Sequence, residues 1–276
     1  MIIDILSDIH VDVYFKIDEE ITEEKFKALY HWLLTTHNTR NCLGDVLVIA
    51  GDLGHYNSQI ITVLKLLREH YYKHIVCVLG NHDYFVSDFI EENRKFDNSG
   101  FARAKELISN INALDGVYCL DGDVIEIDGI KFGGAMGWYN TAYAKTYCPN
   151  MNSSKTEELW KTDMPDFKGI PEIENIHDLY AIEKPKIENV YNKCDIMITH
   201  INPSFKAEYS GPNFKGAPTN TFYSFNGHDY LKEGSMKYWL YGHTHDKMEY
   251  TMHDVNVICN PMGYYTNNRI IKTIKI

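Results

Sequence analysis

The chain has 276 residues, enough for one large domain or two small ones with a hydrophobic core. Its formal net charge of −11 argues against a surface that binds nucleic acid or anionic membrane along the whole chain. It leaves room for a local positive site made by metal ions. No apolar stretch approaches the roughly 20 residues that a membrane-spanning helix needs, so we expect no membrane partner.

Two features of the sequence favour a cytoplasmic location. Acidic residues interrupt the N-terminal stretch MIIDILSDIH, which is therefore unlike a signal peptide. The six cysteines occur singly, and three of them, Cys77, Cys194 and Cys259, fall in or beside apolar runs. We expect these three to be reduced core residues, which fits a reducing cytosol.

The first 85 residues alternate between short apolar strands and amphipathic helices. The predicted strands are 2–6, 46–50 and 75–79, and the predicted helices start near Thr22 and cover 60–67. Apolar residues in the helical segments recur three and four positions apart, which is the period of a helix. This alternation favours an α/β fold whose sheet has a parallel portion and helical crossovers.

The rest of the chain continues with a helical stretch and then mainly short strands. Residues 86–115 are interpreted as mostly helical, with a break near Gly100. The predicted strands that follow are 117–120, 124–127, 130–134, 195–199, 236–241 and three more after Lys247. Residues 138–192 are rich in proline, asparagine and charge, and we interpret them as an insertion of helices and loops within a single domain, 1–276.

Polar side chains that can bind metal ions follow five of the predicted strands directly. They are Asp8 and His10, then Asp52, then Asn81-His82-Asp83, then His200, and finally His243 and His245. Because ligands bind at the carboxyl ends of strands in open α/β sheets, we expect these residues to meet. Glycine precedes three of the sites (Gly51, Gly80 and Gly242), which allows a tight turn and a close approach of backbone.

The chemistry of this set is that of a site for two metal ions. Aspartate, asparagine and histidine offer oxygen and imidazole nitrogen without thiolate, which suits Mn²⁺, Fe, Zn²⁺ or Mg²⁺. Two aspartates, one asparagine and four histidines are too many ligands for one ion and about right for two. Two metals roughly 3.5–4 Å apart suit in-line displacement at phosphorus. One carboxylate would bridge them, and Asp52 is the candidate because it stands alone on its turn.

The ordered series D-x-H, G-D, G-N-H-D, H and G-H-x-H resembles the calcineurin-like metallophosphoesterase superfamily. The similarity runs from Asp8 to His245, and all five motifs are intact. Each motif alone is weak, whereas the ordered set is highly specific. The resemblance implies a four-layer sandwich of two mixed β-sheets flanked by helices, and a metal-dependent phosphoesterase.

The resemblance also implies a role for each motif residue. One metal would be held by Asp8, His10 and His245, the other by Asn81, His200 and His243, with Asp52 between them. The nucleophile would be a hydroxide bridging the ions. His82 would be the general acid with Asp83 orienting it, and Asn81 would also contact a phosphate oxygen. The turn at residues 260–264 resembles the one that closes this site.

Taken singly, each motif also has an ordinary explanation, such as a polar turn, a helix cap or a satisfied core histidine. The candidate substrate contacts rest on position alone. They are His55 and Tyr56 after the Asp52 turn, Trp138 and Tyr139 after Gly137, and Asn202 after His200. The alternatives are that His55 and Tyr56 cap the next helix or face solvent, and that Trp138 and Tyr139 anchor the insertion.

The motif variants narrow the substrate class. Phosphoprotein phosphatases of the superfamily usually carry G-D-x-x-D-R-G and G-N-H-E, whereas this chain has G-D-L-G-H-Y-N and G-N-H-D. The G-N-H-D form is shared by phosphodiesterases that act on cyclic nucleotides, nucleotides and nucleic acids. We therefore predict a phosphodiesterase, with Mn²⁺ as the leading metal, acting on a small or nucleotide-type phosphate ester.

Other functions remain open at the level of sequence. They are a phosphomonoesterase or protein phosphatase, a nuclease, which the negative charge disfavours, and a metal-dependent hydrolase acting on something other than phosphate. A non-enzymatic scaffold would be expected to have lost metal ligands, and none of the motif residues is missing.

Overall fold

The computed structural model describes residues 1–16, 19–35, 43–86, 94–211, 214–264 and 271–276, with the backbone alone for 30–35. The strands are β1 Ile2–Leu6, β2 Val46–Ala50, β3 His74–Val78, β4 Val117–Cys119, β5 Asp123–Ile127, β6 Ile130–Gly134, β7 Ile196–Ile198, β8 Tyr238–Tyr241, β9 Met248–Met252, β10 Val255–Cys259 and β11 Lys272–Lys275. The helices are α1 Val11–Tyr14, α2 Glu23–Thr35, α3 Asn57–His70, α4 Gly100–Asn112, α5 Ala142–Tyr147, α6 Ser153–Asp163, α7 Asp166–Gly169, α8 Asp178–Val190 and α9 His228–Glu233.

The strands form two mixed sheets that pack face to face. The first has the order β11-β1-β2-β3-β4, parallel except for β11, and the second has the order β5-β6-β7-β8-β10-β9, with antiparallel β5 and β9 at its edges. Helices α3 and α4 contact the first sheet, and α8 contacts the second. The predicted four-layer sandwich is therefore confirmed.

The near-continuous apolar runs in the sequence follow from burial of both faces of each sheet. In β2, Val46, Val48 and Ala50 belong to the core between the sheets, and Leu47 and Ile49 to the core under the helices. Because side chains alternate along a strand, a strand buried on both faces carries apolar residues at every position.

The predicted strands and helices are present, with two differences of detail. The helix expected between 86 and 115 begins at the predicted break, where the Ser99 side chain caps α4 by accepting a hydrogen bond from the Ala102 N–H at 3.0 Å. Residues 87–93 of that interpretation lie outside the described residues. Within 138–192, α8 contacts β5 and β6 and leads into β7, which is parallel to β6. It is therefore the crossover that parallel strands require, rather than added structure.

Two further expectations concern membranes and thiols. Within the described ranges, no helix is both long and apolar enough to cross a bilayer. The five described cysteines are buried and free of disulfides, including Cys77, Cys194 and Cys259, which were expected in the core.

The core between the sheets gives a test of stability. Ile196 of β7 is fully buried there, so Ile196→Ala should lower the free energy of unfolding by about 2–5 kcal/mol. Ile182 of α8 is 44% exposed, and Ile182→Ala should change it by less than about 0.5 kcal/mol. Urea denaturation followed by circular dichroism measures both. Equal effects of the two substitutions would contradict this description of the core.

Candidate metal centre

The metal-binding side chains predicted from the sequence converge at the carboxyl ends of the strands. Ligand atoms of Asp8, His10, Asp52 and His245 all lie within 4.8 Å of one another, and the same holds for Asp52, His200 and His243. The two groups share Asp52, as expected for a bridging carboxylate. All of these side chains are buried except that of His245, which is partly exposed.

Asn81 joins the second group through its side-chain oxygen. Asn81 Oδ1 lies 3.0 Å from His200 Nε2 and 3.1 Å from His243 Nδ1. Its amide nitrogen points the other way and donates to Asp166. The two sets, each of which now contains three side chains besides Asp52, are the two predicted from the motifs.

The backbone at this edge is bent in an unusual way. Five candidate ligands have left-handed backbone, with φ of 52° at Asp8, 38° at His10, 53° at Asp52, 68° at His243 and 52° at His245. Such angles are uncommon for residues other than glycine, and they persist where surrounding contacts hold them. Here the Asp8 N–H donates to the Gly51 carbonyl at 3.0 Å, and the His243 N–H to Asp8 Oδ1 at 2.9 Å. Hydrogen bonds between the ends of β1, β2 and β8 thus hold these conformations in place.

The glycine that precedes three of the motifs makes room for the candidate ligands. A Cβ atom at Gly80 would overlap Asp52 Oδ1 and lie 2.8 Å from His200 Nε2. A Cβ at Gly242 would lie 2.8 Å from Asp8 Oδ2, and one at Gly51 would collide with the ring of His200. The glycines are therefore needed for space at this site.

The hydrogen bonds of the histidines show that the site fits a cation. His200 Nδ1 lies 2.9 Å from the Ala50 carbonyl and must donate to it. Neutral His200 then presents a lone pair at Nε2, which faces Asp52 Oδ1 at 3.3 Å and Asn81 Oδ1 at 3.0 Å. With His200 neutral, these three lone pairs face one another and need a positive charge between them, which a metal ion or a proton on Nε2 supplies.

His243 is oriented in the same way as His200. Its Nε2 lies 3.0 Å from the Phe222 carbonyl, so a hydrogen placed there leaves the Nδ1 lone pair facing Asn81. Backbone carbonyls thus fix both rings with the metal-binding nitrogen turned inward, which is the usual support for a histidine ligand.

The pKa values of the buried groups also indicate that the site favours positive charge. Burial lowers the pKa of His200, but the charge of Asp52 outweighs it and raises that pKa to about 9. Burial opposes ionisation of Asp52, yet the charges of His200 and His82 hold its pKa well below the usual value. The protein therefore keeps Asp52 as a carboxylate and draws positive charge toward it.

His82 lies beside the candidate ligands, and its partner differs from the predicted one. His82 Nδ1 lies 2.8 Å from His55 Nε2, and His55 Nδ1 lies 3.3 Å from Asp12 Oδ2. The rings of His55 and His82 stack with centroids 5.0 Å apart. Burial is the largest influence on the pKa of His82, which it lowers to about 3, with the charge of Asp52 opposing.

The expectation that Asp83 orients His82 is wrong. The Asp83 carboxylate accepts hydrogen bonds from three backbone N–H groups, at Leu53 (2.9 Å), Gly54 (3.0 Å) and Gly80 (2.8 Å). It ties the Asp52 turn to the Asn81 turn, and its oxygens are occupied by that backbone. His55 occupies the position that would be the second aspartate of a G-D-x-x-D motif.

A buried arginine also joins the Asp52 turn to the Asn81 turn. Arg103 of α4 is fully buried, and its guanidinium donates to the carbonyls of Gly54 at 2.7 Å, His82 at 2.8 Å and Phe85 at 2.9 Å. The loops that carry His55 and His82 are therefore fixed to one helix.

An open cavity of about 280 Å³ lies over the candidate ligands. It exposes Asp52, Asn81, His82, His243 and His245, and its remaining wall consists of Asp163, Met164, Pro165, Phe214, Tyr223, Thr244 and Tyr264. Tyr264 stacks on His10 with ring centroids 4.4 Å apart, and its hydroxyl lies 3.4 Å from His82 Nε2. The turn before it closes the site as predicted, since the Gly263 N–H donates to the Asp8 carbonyl at 3.0 Å.

Four of the predicted substrate contacts lie elsewhere among the described residues. Trp138 is buried and donates to the Ile176 carbonyl, Tyr139 donates to Asp166, and Asn202 accepts from Tyr250. Tyr56 precedes α3 and is not part of the described cavity wall. The assignments of Trp138, Tyr139 and Asn202 to substrate are therefore wrong, because these side chains are buried with internal hydrogen bonds, whereas the assignment of Tyr56 stays a prediction. His55 reaches the site through His82.

Sequence reasoning missed Asp12, Asp166 and most of the cavity wall. Asp12 lies two residues after His10, but no known motif spacing marks it. Asp163, Met164 and Pro165 come from the 138–192 segment, and Phe214 and Tyr223 from the loops before β8. The composition of these stretches gave no signal, because cavity walls are defined by packing between distant segments.

Comparisons with known proteins agree with this geometry. The family model for calcineurin-like phosphoesterases matches residues 1–247, so the chain belongs to that family and is a metal-dependent phosphoesterase. An uncharacterized protein of Acanthamoeba polyphaga mimivirus is 23% identical over 236 residues, covering 79% of this chain and 78% of that protein. Phosphopantetheinyl hydrolase (PptH) of Mycobacterium tuberculosis has a similar structure, with a TM-score of 0.71, 13% identity, and coverage of 99% of this chain and 95% of that one. At that identity the likeness concerns the fold.

The room provided by Gly80 can be tested directly. Gly80→Ala should abolish binding of at least one of two Mn²⁺ ions, because its Cβ would push Asp52 and His200 apart. The backbone at Gly80 is extended, so the effect would come from space and not from conformation. Isothermal titration with Mn²⁺, together with the melting temperature of the metal-free protein, separates lost ligation from lost folding. Two ions bound as tightly as in the wild type would contradict the proposed packing.

Proposed function

We propose that the protein is a phosphodiesterase that uses two divalent metal ions, Mn²⁺ first among them, to hydrolyse a small or nucleotide-type phosphate ester. The observation that carries the proposal is the sharing of Asp52 between two groups of ligand atoms. One ion would be held by Asp8, His10, His245 and Asp52, and the other by Asn81, His200, His243 and Asp52. When bound, the pair would supply a hydroxide nucleophile at neutral pH and neutralise the phosphate.

The chain's own residues would supply the proton that the leaving alcohol needs. His82 Nε2 faces the cavity, while Nδ1 faces His55 and the far side of His55 faces Asp12. Burial alone disfavours a charged His82. One proton shared between the two rings and balanced by the Asp12 carboxylate would let His82 Nε2–H donate to the leaving oxygen. His82 is thus the proposed general acid, and His55 and Asp12 position it.

The shape of the cavity supports a diester substrate. Three aromatic rings, Phe214, Tyr223 and Tyr264, border it, and Met164 and Pro165 add apolar surface. A phosphodiester carries one negative charge and two organic groups, and such a wall suits an aromatic or apolar group attached to the phosphate. We further propose that the chain is a single domain in which residues 138–192 provide part of this wall, through Asp163, Met164 and Pro165.

A substrate panel tests the proposed class. Metal-loaded protein should hydrolyse bis(p-nitrophenyl) phosphate, cyclic nucleotides or dinucleotides with higher kcat/KM than the matching monoesters. A phosphopeptide and single- and double-stranded DNA complete the panel. Higher kcat/KM on monoesters or phosphopeptide would replace the diesterase by a phosphatase, and higher kcat/KM on DNA would replace it by a nuclease.

The bridging role of Asp52 and the acid role of His82 have separable consequences. Asp52→Asn should lose both metal and activity, because the shared carboxylate is removed. His82→Ala should keep two metals but slow turnover by roughly 10²–10⁴-fold. Metal content by mass spectrometry and kcat for a substrate with an alkoxide leaving group measure the two effects. Equal metal loss in both variants would refute the assigned role of His82.

The pairing of His55 with His82 predicts a dependence on the leaving group. His55→Phe keeps a ring to stack on His82 and Phe85 but removes both nitrogen atoms. We expect kcat to fall at least about tenfold for esters of alkyl alcohols. It should change little for nitrophenyl esters, whose leaving group needs no proton. His82→Ala should show the same selectivity. A uniform loss with both classes of ester would contradict the relay.

A further inference from the structure

A buried carboxylate outside the predicted motifs contacts the second ligand group. Asp166, the first residue of α7, is fully buried, and its Oδ1 accepts a hydrogen bond from Asn81 Nδ2 at 2.8 Å. Asp166 belongs to the 138–192 segment and is separated from Asn81 by 85 positions. The segment thus reaches the candidate metal centre itself as well as the cavity wall.

This contact determines which way the Asn81 amide faces. An ionised carboxylate only accepts hydrogen bonds, so the amide nitrogen turns toward Asp166 and the amide oxygen toward His200 and His243. Rotation of the amide by half a turn would place two N–H donors among the inward-facing lone pairs of the site. Nitrogen of an amide is no ligand for a metal ion, whereas the oxygen is.

Asp166 is itself held in place by buried groups. Its Oδ2 accepts from the Tyr139 hydroxyl at 3.0 Å, and the oxygen of that hydroxyl accepts from Trp160 Nε1 at 2.6 Å. Tyr139 and Trp160 are both fully buried. The end of α7 is also joined to the segment that follows the Asn81 turn, since the Val86 N–H donates to the Gly169 carbonyl at 2.9 Å. The carboxylate is therefore fixed before any ion binds.

We propose that Asp166 is a positioning residue that orients Asn81 Oδ1 as a ligand of the second metal ion. The 138–192 segment is then required for the metal centre and not only for the cavity. This inference rests on the proposed two-metal function. Asp166 touches neither substrate nor metal, and it acts through Asn81.

Mn²⁺ titration followed by electron paramagnetic resonance tests the proposal, because a coupled Mn²⁺ pair and a single Mn²⁺ ion give different spectra. Asp166→Leu should weaken the second Mn²⁺ by about 10–100-fold and leave the first unchanged, so that the coupled signal appears only at higher concentration. Asp166→Asn should stay within a few-fold of wild type, since its side-chain oxygen still accepts from Asn81.

Tyr139→Phe is the matched control. It removes the other hydrogen bond to Asp166 and the acceptor of Trp160, but leaves the Asn81 contact. It should lower the melting temperature while keeping the coupled signal at wild-type concentrations. Loss of the second ion in Tyr139→Phe to the same degree as in Asp166→Leu would show general damage to the network and overturn the proposal.

A second pair of variants covers the case in which Asp166→Leu does not fold. Asn81→Asp sets two carboxylates against each other and should weaken the second ion, and adding Asp166→Asn should restore it by returning an amide to the pair. Failure of that rescue would overturn the positioning role. A wild-type protein that binds fewer than two Mn²⁺ ions would instead overturn the proposed function, which keeps the two failures distinct.

Discussion

The gathering of unshared electron pairs around Asp52 is the constraint on which the rest of the site depends. Two carboxylates, an amide oxygen and four imidazoles meet at the base of an open cavity, and all of these side chains except that of His245 are buried. Such a set is unfavourable unless positive charge lies among it. The surrounding structure increases the requirement for positive charge, because backbone carbonyls orient the imidazoles of His200 and His243 with a ring nitrogen facing inward. The folded protein therefore presents a set of ligand atoms that favours the binding of cations.

This arrangement of ligand atoms requires an uncommon backbone conformation. The left-handed conformations at five ligand positions disfavour the folded state locally, and the hydrogen bonds between strand ends offset them. The two sheets make this possible, since each contributes parallel strands that end at the same edge. Asp8, Asp52 and Asn81 come from the first sheet, and His200, His243 and His245 from the second. The candidate metal centre lies where the sheets meet.

Much of the fold and the full set of candidate ligands could be predicted from sequence, because both depend on local patterns. Apolar runs and helical spacing located the strands, and each ligand follows a strand end within a few residues. The supports of the ligands could not be predicted. Asp166 meets Asn81 across 85 positions, and Asp12 meets His55 across 43. The role of Asp83 was predicted wrongly, because its adjacency to His82 in the sequence does not show that its carboxylate accepts hydrogen bonds from the backbone of the Asp52 turn.

Arg103 shows how far the site extends beyond its visible surface. One guanidinium, contributed by a helix outside the cavity, joins the two loops that carry the proposed acid and its partner. A deep mutational scan scored by turnover would therefore rank Arg103 beside the ligands, although it has no chemistry to perform. Lysine, which cannot reach three carbonyls with one planar group, would be a poor replacement. Positions that do not tolerate substitution would therefore include the residues that hold the site in place as well as those that take part in the reaction.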